Sequence, residues 1–140
     1  GYGWHKENLR NYLNLTSTQP EKVTWGKAEM TAFGSGSLMR GLPGDYYSPS
    51  RFVRVAYLNT HYPVKGTEEE NVSRLFHTLA GVAMIDGAAA MASGDFEKTV
   101  YTGGYSAATK TYYWNTYEDP AIRKAALLDY DINGSELVQA

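Results

Sequence analysis

The sequence of 140 residues contains no cysteine. This absence excludes disulfide bonds, thiolate metal sites and a cysteine nucleophile within the chain. A chain without cysteine is typical of a reducing compartment, so we expect a cytoplasmic protein.

Long apolar runs and basic clusters are also absent. The apolar stretch at residues 82–91 is interrupted by Asp86 and Gly87, whereas a membrane-spanning helix needs about 20 mostly apolar residues. Lysine and arginine together number 13 against 15 acidic residues, which gives a net charge of −2. The sequence therefore predicts neither a membrane span nor a surface that neutralises nucleic-acid phosphates.

What the sequence does contain indicates a globular α+β domain. Hydrophobic residues make up 43% and charged residues 20%, close to the averages of globular proteins. Helical patterns come first and strand patterns follow, an order that predicts α+β layering. The first residue is Gly1 rather than methionine, and we expect the sequence to be part of a longer chain.

Two helices are predicted in the first half of the chain. Apolar residues at near-helical spacing predict one over residues 4–15. The second begins where Ser48 serves as the N-cap and Pro49 as the first helical residue, a position whose N–H has no helical partner in any case. Pro63 ends this second helix.

The segment between these helices, residues 16–45, shows no sustained period and is rich in glycine. Irregular segments of about 30 residues are uncommon in compact domains, and they are usually functional or interfacial. Trp25 and Phe33 are unexpected in a solvated linker. We therefore interpret the segment as an arm that packs against its own core or against another subunit.

A third helix is predicted in the second half of the chain. Thr67 and Glu70 have the spacing of a capping box, in which each residue bonds the backbone N–H of the other. An apolar stripe at helical spacing follows. It consists of Val72, Leu75, Phe76, Leu79 and Val82.

Strands are predicted after this helix. Residues 96–102 and 111–117 are rich in threonine, valine, tyrosine and tryptophan, and residues 103–106 are turn-prone, so an antiparallel hairpin is expected. Residues 121–130 form either a third strand or a helix, and their alanine and leucine favour the helix. Residues 137–138 are the start of a candidate last strand.

Asp129 and Asp131 open a sequence that matches the first half of a calcium-binding EF-hand loop. The twelfth position of that loop carries a bidentate carboxylate, but it is Ala140 here. A polar turn is the better interpretation. A calcium-binding domain built on the two aspartates stays an alternative hypothesis.

Other motifs carry less weight. His5, His61 and His77 lack the paired spacing of a zinc site, and we expect His5 and His61 at the surface. The glycine-rich loop at residues 34–41 lacks the lysine and the third glycine that phosphate and dinucleotide sites require. Asn71 begins one of three glycosylation triplets, a pattern that is common by chance. We predict no metal site and no cofactor, and assign no substrate-binding residue.

Arg51 has the position that is hardest to explain structurally. If Ser48 caps the second helix, Arg51 lies in its first turn, where a cation opposes the helix dipole by up to about 1 kcal/mol. One interpretation is an exposed arginine, or one paired with Asp45. The functional interpretation is a catalytic arginine aimed into a cleft where an anion is bound or negative charge develops.

Four ordered motifs resemble the choloylglycine hydrolase family, which contains bile salt hydrolases and penicillin V acylases. Residues 41–57 read GLPGDYYSPSRFVRVAY and carry most of the likeness. Residues 4–12, 71–77 and 111–117 resemble, in this order, the family's segment just after an active-site asparagine, its next helix and a late strand.

The resemblance implies that residues 1–140 are the C-terminal part of one such domain, with an arm at about residues 11–45 that contributes to a homotetramer. The implied fold is the four-layer αββα sandwich of N-terminal-nucleophile hydrolases. In that family a cysteine at the mature N-terminus attacks an amide carbon and its own α-amino group serves as base, without a metal or organic cofactor.

Arg51 matches the family's active-site arginine, whose implied role is to orient groups around the nucleophile and the reaction centre. The family's cysteine, second arginine, aspartate and asparagine have no counterpart here. We therefore expect the 140-residue chain to be inactive alone.

The likeness favours a bile salt hydrolase of gut bacteria that cleaves glycine- or taurine-conjugated bile acids. A penicillin V acylase or another N-acyl amidase is the alternative within the family. The alternative that is not an enzyme is a non-catalytic assembly or binding unit.

Overall fold

The structure is a computed structural model that describes residues 2–138. The chain divides into two compact units, Gly1–His61 and Tyr62–Ala140. Helices and antiparallel sheets occur together in the described part, which agrees with the predicted α+β class. None of the helices within residues 2–138 has both the length and the apolar character that crossing a membrane requires.

The first unit has two helices with a small hairpin between them in sequence. α1 (Gly3–Asn8) continues as a 3₁₀ helix (Leu9–Tyr12), which confirms most of the helix predicted over residues 4–15. α2 spans Ser48–His61 and ends before Pro63, as predicted.

The start of α2 differs from the prediction. Ser48 is its first helical residue rather than its N-cap. The residue before it is Tyr47, whose carbonyl accepts the Arg51 N–H. Asp45 lies two residues earlier and holds the helix start, because its carboxylate accepts the backbone N–H of Tyr47 and the hydroxyl of Ser50, both at 2.8 Å. A carboxylate also has the favourable sign at the positive end of the helix dipole. The prediction of Ser48 as N-cap is therefore wrong.

Part of the segment predicted to be irregular forms a hairpin. β1 (Val23–Trp25) and β2 (Ala28–Met30) pair antiparallel, with Trp25 opposite Ala28. Gly26 begins the two-residue turn with φ +61°, a conformation that glycine adopts without strain. Strands of three residues are too short to show a period, so the sequence pattern did not reveal them.

The second unit packs one helix against one sheet. α3 spans Glu68–Ala80. The sheet is antiparallel in the order β3 (Tyr101–Ser106), β4 (Thr111–Thr116) and β5 (Arg123–Ala126). Phe76, from the predicted apolar stripe of α3, is 8% exposed.

The loop before α3 is tied to the helix by two sets of hydrogen bonds. The capping box is confirmed, since Glu70 N–H donates to the Thr67 hydroxyl and Thr67 N–H to the Glu70 carboxylate, both at 3.2 Å. The side-chain amide of Asn71 donates to the carbonyls of Lys65 and Thr67 and accepts the Lys65 N–H. Asn71 therefore has a structural role here.

The predicted hairpin is confirmed, but its turn lies elsewhere. Gly103 and Gly104 belong to β3, and the turn is at residues 107–110. A Cβ added to Gly104 would collide with the Leu75 side chain of α3. The glycine thus leaves room for the Leu75 side chain where helix and strand approach closely. Residues 96–100 lie outside the strands, contrary to prediction.

The helix favoured for residues 121–130 is wrong. β5 occupies Arg123–Ala126, and a 3₁₀ helix follows at Leu127–Asp129. Ala125 pairs with Tyr112 of β4, and this pairing overrides the high helix propensity of alanine, because intrinsic propensity yields to tertiary context. Residues 137–138 form no strand.

The two faces of the β3–β4–β5 sheet differ. Tyr113 is 8% exposed and bonds to α3. Side chains alternate along a strand, so Tyr112 and Trp114 point to the opposite face. Tyr112 and its neighbour Tyr101 are 42% and 63% exposed there. We call this side (Tyr101, Tyr112 and Trp114) the open face.

Candidate functional site

The candidate site centres on Arg51, the fourth residue of α2. Its backbone N–H donates to the Tyr47 carbonyl at 3.0 Å, as expected in a first helical turn. The side chain is half-buried, and its Nε is buried without a hydrogen-bond partner among the described residues. Leaving a buried polar group unpaired costs about 1–3 kcal/mol, so this placement needs a compensating role.

Asp45 does not supply the missing partner. Its carboxylate is engaged by Tyr47 and Ser50, and no ion pair joins it to Arg51 in the described part of the chain. These bonds lower the pKa of the Asp45 carboxyl, the Ser50 hydroxyl most and the Tyr47 N–H next, with a smaller effect of the Arg54 charge. The predicted alternative of an Arg51–Asp45 pair is wrong.

Arg54 holds the loop that leads into α2. It is 8% exposed, and its Nη1 donates to the carbonyls of Pro43 at 2.7 Å and Asp45 at 2.6 Å. Gly41 opens this loop with φ +99°, in the region that favours glycine. No local sequence pattern assigns this role to Arg54, because its contacts depend on how the loop folds back onto the helix.

α1 lies against the start of α2. The ring of His5 stacks on Phe52, the residue after Arg51, with centroids 4.6 Å apart and planes at 25°. His5 is half-buried, and its Nδ1 is buried without a partner in the described chain. The expectation of a surface His5 is therefore wrong, whereas His61 is exposed as expected.

The described residues give no support to the hypothesis of a calcium-binding domain built on Asp129 and Asp131. No group of three histidine, cysteine, aspartate or glutamate residues able to hold a metal occurs within residues 2–138. Asp131 accepts the Asn133 N–H at 3.0 Å through its carboxylate, which is the polar turn predicted there. Ala140, the twelfth position of the EF-hand alignment, lies outside the described residues, as does Gly1.

A second polar cluster lies in the second unit, and no local sequence pattern predicts it, because its members are far apart along the chain. The Glu68 carboxylate accepts hydrogen bonds from Tyr113 at 2.5 Å, Thr109 at 2.7 Å and Ser106 at 2.8 Å. The Tyr113 bond contributes most to lowering the pKa of Glu68, and in return it raises the pKa of Tyr113 to about 12. The cluster joins α3 to the β3–β4 hairpin, so its role is structural.

Comparison with known proteins agrees with the motif likeness. A family model described as linear amide C-N hydrolases, choloylglycine hydrolase family, matches residues 1–140. The bile salt hydrolase/transferase of Bifidobacterium longum subsp. longum is 57% identical, and the conjugated bile acid hydrolase of Lactobacillus gasseri 40% identical, each over 137 residues. Both alignments cover 98% of this chain and 43% of the relative.

A solved structure shows the same relationship. A variant of the conjugated bile acid hydrolase from Clostridium perfringens matches with a TM-score of 0.86 and 31% identity, over 97% of this chain and 41% of that one. The chain thus spans less than half the length of these relatives. The likeness confirms the predicted family and fold class.

Proposed function

Because this chain belongs to the choloylglycine hydrolase family of linear amide C–N hydrolases, we propose that the whole protein hydrolyses glycine- or taurine-conjugated bile acids. The substrate class is supported by the names of the relatives at 57% and 40% identity, which are bile salt hydrolase/transferase and conjugated bile acid hydrolase. The attacking cysteine belongs, in this proposal, to a part of the protein outside these 140 residues, which contain none.

The observation that carries the proposal is the unpartnered Nε of Arg51. A guanidinium held at a helix start with a buried N–H group is oriented for an acceptor that the described residues do not supply. In the proposed reaction Arg51 binds an oxygen of the substrate or of a neighbouring active-site group. It stabilises the negative charge that develops as the cysteine sulfur adds to the amide carbon.

The test is taurine release from taurocholate by the full-length protein, with the intact mass recorded under denaturing conditions on the same sample. We expect a cysteine-bearing chain and taurine release. Arg51→Ala should lower kcat by about 100-fold or more, the usual loss when one group that stabilises an oxyanion is removed. Arg10→Ala is the matched control, since this exposed arginine pairs with Glu7 at 3.3 Å and should leave kcat unchanged.

If the folded wild-type protein carries its cysteine and releases neither taurine from taurocholate nor glycine from glycocholate, the proposed hydrolysis is wrong. A non-catalytic assembly unit would then be the better account. If Arg51→Ala and Arg10→Ala have equal kcat, the role given to Arg51 is wrong even where the hydrolysis is right.

Assembly and location are further parts of the proposal. We propose that the arm at residues 11–45 contributes to a homotetramer in the cytoplasm. Trp25 is 75% exposed and Phe33 is fully exposed, and both line an open cavity of about 510 Å³. Exposed apolar patches of this kind often mark interfaces. Replacing both by serine should lower the molar mass in light scattering, whereas Val64→Ser, outside the arm, should not. Cell fractionation tests the location.

A further inference from the structure

Arg54 lies one helical turn after Arg51, and residues three apart share a helix face. The two arginines differ in their surroundings. Arg54 is buried and bonds to two backbone carbonyls, whereas Arg51 keeps a buried nitrogen without a partner in the described chain. The difference suggests separate tasks for two cations of the same helix.

The contacts of Arg54 converge on one loop. Its Nη1 donates to the carbonyls of Pro43 and Asp45 at 2.7 and 2.6 Å. Hydrogen bonds from a charged donor are roughly twice as strong as those between neutral groups. One guanidinium therefore fixes two points of the loop at residues 41–47 against the second turn of α2.

The same loop is held a second time, at the first turn of α2. The Asp45 side chain binds the Tyr47 N–H and the Ser50 hydroxyl, while its own carbonyl binds Arg54. Asp45 is thus bound by two residues of α2 that flank Arg51 in sequence. Ser50 precedes Arg51, and Arg54 follows it. We call this arrangement the Asp45 clamp (Asp45, Tyr47, Ser50 and Arg54).

We propose that Arg54 is a positioning residue for Arg51. It occupies the carbonyl oxygens of Pro43 and Asp45, the acceptors presented by the loop, and keeps that loop closed against α2. The Arg51 guanidinium is then left available for the reacting groups rather than bound to its own loop. This inference rests on the catalytic role of Arg51 given above, and it adds a residue that acts only through Arg51.

Arg54→Lys in the full-length enzyme is the test. Lysine keeps the charge but lacks the planar guanidinium, so the loop should loosen and Arg51 should lose its orientation. Small misplacements of catalytic groups cost up to about 100-fold in rate. We expect kcat for taurine release to fall at least about 10-fold with KM within about 2-fold.

The matched control is Arg74→Lys. Arg74 lies in α3, and its Nε also donates to a backbone carbonyl, that of Tyr62, at 3.1 Å. It belongs to the other unit and not to the clamp. We expect Arg74→Lys to leave kcat within about 2-fold of wild type.

A double-mutant cycle separates positioning from general loss of structure. Placed on Arg51→Lys, the Arg54→Lys change should have no further effect on kcat, because the group through which it acts is already altered. Additive losses, or an unchanged kcat in Arg54→Lys alone, would overturn the inference. If Arg54→Lys does not fold, Ser50→Ala takes its place, because it removes one hydrogen bond of the same clamp. It is combined with Arg51→Lys in the same way, and the same outcomes support or overturn the inference.

Hydrogen exchange gives a readout that does not need activity. Amides at residues 41–50 should exchange faster in Arg54→Lys and not in Arg74→Lys. Unchanged exchange there would overturn the clamp even in an active enzyme. If Arg54→Lys shows the faster exchange but the wild-type protein releases neither taurine nor glycine from conjugated bile acids, the proposed hydrolysis is wrong and the clamp stands.

Discussion

The hydroxyl of Tyr113 in β4 donates a hydrogen bond of 2.5 Å to the carboxylate of Glu68, the first residue of α3. The bond lowers the pKa of Glu68 below its ordinary value of 4.5 and raises that of Tyr113 from 10.0 to about 12. Helix and sheet are thus joined by one ionised and one neutral group.

The first prediction concerns pH. A lowered Glu68 pKa stabilises the fold fully above about pH 4.5, and this contribution is lost as the pH falls through the lower folded-state pKa. The raised Tyr113 pKa stabilises the fold fully below pH 10.0, and that contribution is lost as the pH rises toward about 12. Urea midpoints of the full-length protein should therefore fall at both ends of this range.

Two variants assign these changes to the pair. Glu68→Gln should lower the midpoint at neutral pH and flatten its fall below about pH 4.5. Tyr113→Phe should flatten the fall above pH 10.0. If both variants keep the pH profile of the wild type, other groups are responsible.

The second prediction concerns Gly104. An added methyl group would meet the Leu75 side chain, and overpacking of this kind costs about 1–3 kcal/mol. Gly104→Ala should therefore lower the free energy of unfolding, and Leu75→Ala should partly restore it in the double variant. Gly66→Ala is the control, since its Cβ would meet nothing within 4 Å. Equal stability of the two alanine variants would contradict the predicted collision.

The third prediction concerns the capping box. Thr67→Ala removes the acceptor of the Glu70 N–H at the start of α3, and the loss of such a cap costs about 1 kcal/mol. Thr60→Ala is the control, because this exposed hydroxyl only bonds the Ala56 carbonyl one turn earlier in α2. Chemical denaturation should show a lower midpoint for Thr67→Ala and little change for Thr60→Ala.

The fourth prediction concerns the 140-residue chain produced alone. Its open face exposes Tyr101, Tyr112 and part of Trp114. No further strand among residues 2–138 pairs with the outer edges of β3 and β5. We expect insoluble or partly molten material without a cooperative thermal transition. A sharp melt monitored by near-ultraviolet circular dichroism would contradict this expectation.

The features predicted correctly from sequence are those decided by local chemistry. The Thr67–Glu70 capping box is confirmed because both partners lie within one turn. The unusual position of Arg51 is also visible in the sequence, because a cation in a first turn opposes the helix dipole; its catalytic role stays a prediction. The end of α2 before Pro63 follows from proline geometry alone.

The errors concern features that depend on distant residues. Gly104 lies in a strand because it pairs with Tyr113 of β4, and Ala125 lies in a strand because it pairs with Tyr112 on the other side of β4. The Asp45 clamp was missed for the same reason, since the loop carbonyls meet Arg54 only after the chain folds back. Neither periodicity nor propensity contains this information.

The hydrogen bonds of Asn71 have a practical consequence for producing the protein. In a eukaryotic secretory host, the triplet that begins at Asn71 would be open to oligosaccharide transfer while the chain is still unfolded. A sugar on that nitrogen would replace one of the two hydrogens that bind the carbonyls of Lys65 and Thr67, so the loop would lose one of these bonds to α3. Bacterial expression, or Ser73→Ala in a secretory host, avoids this modification and keeps the Asn71 side chain.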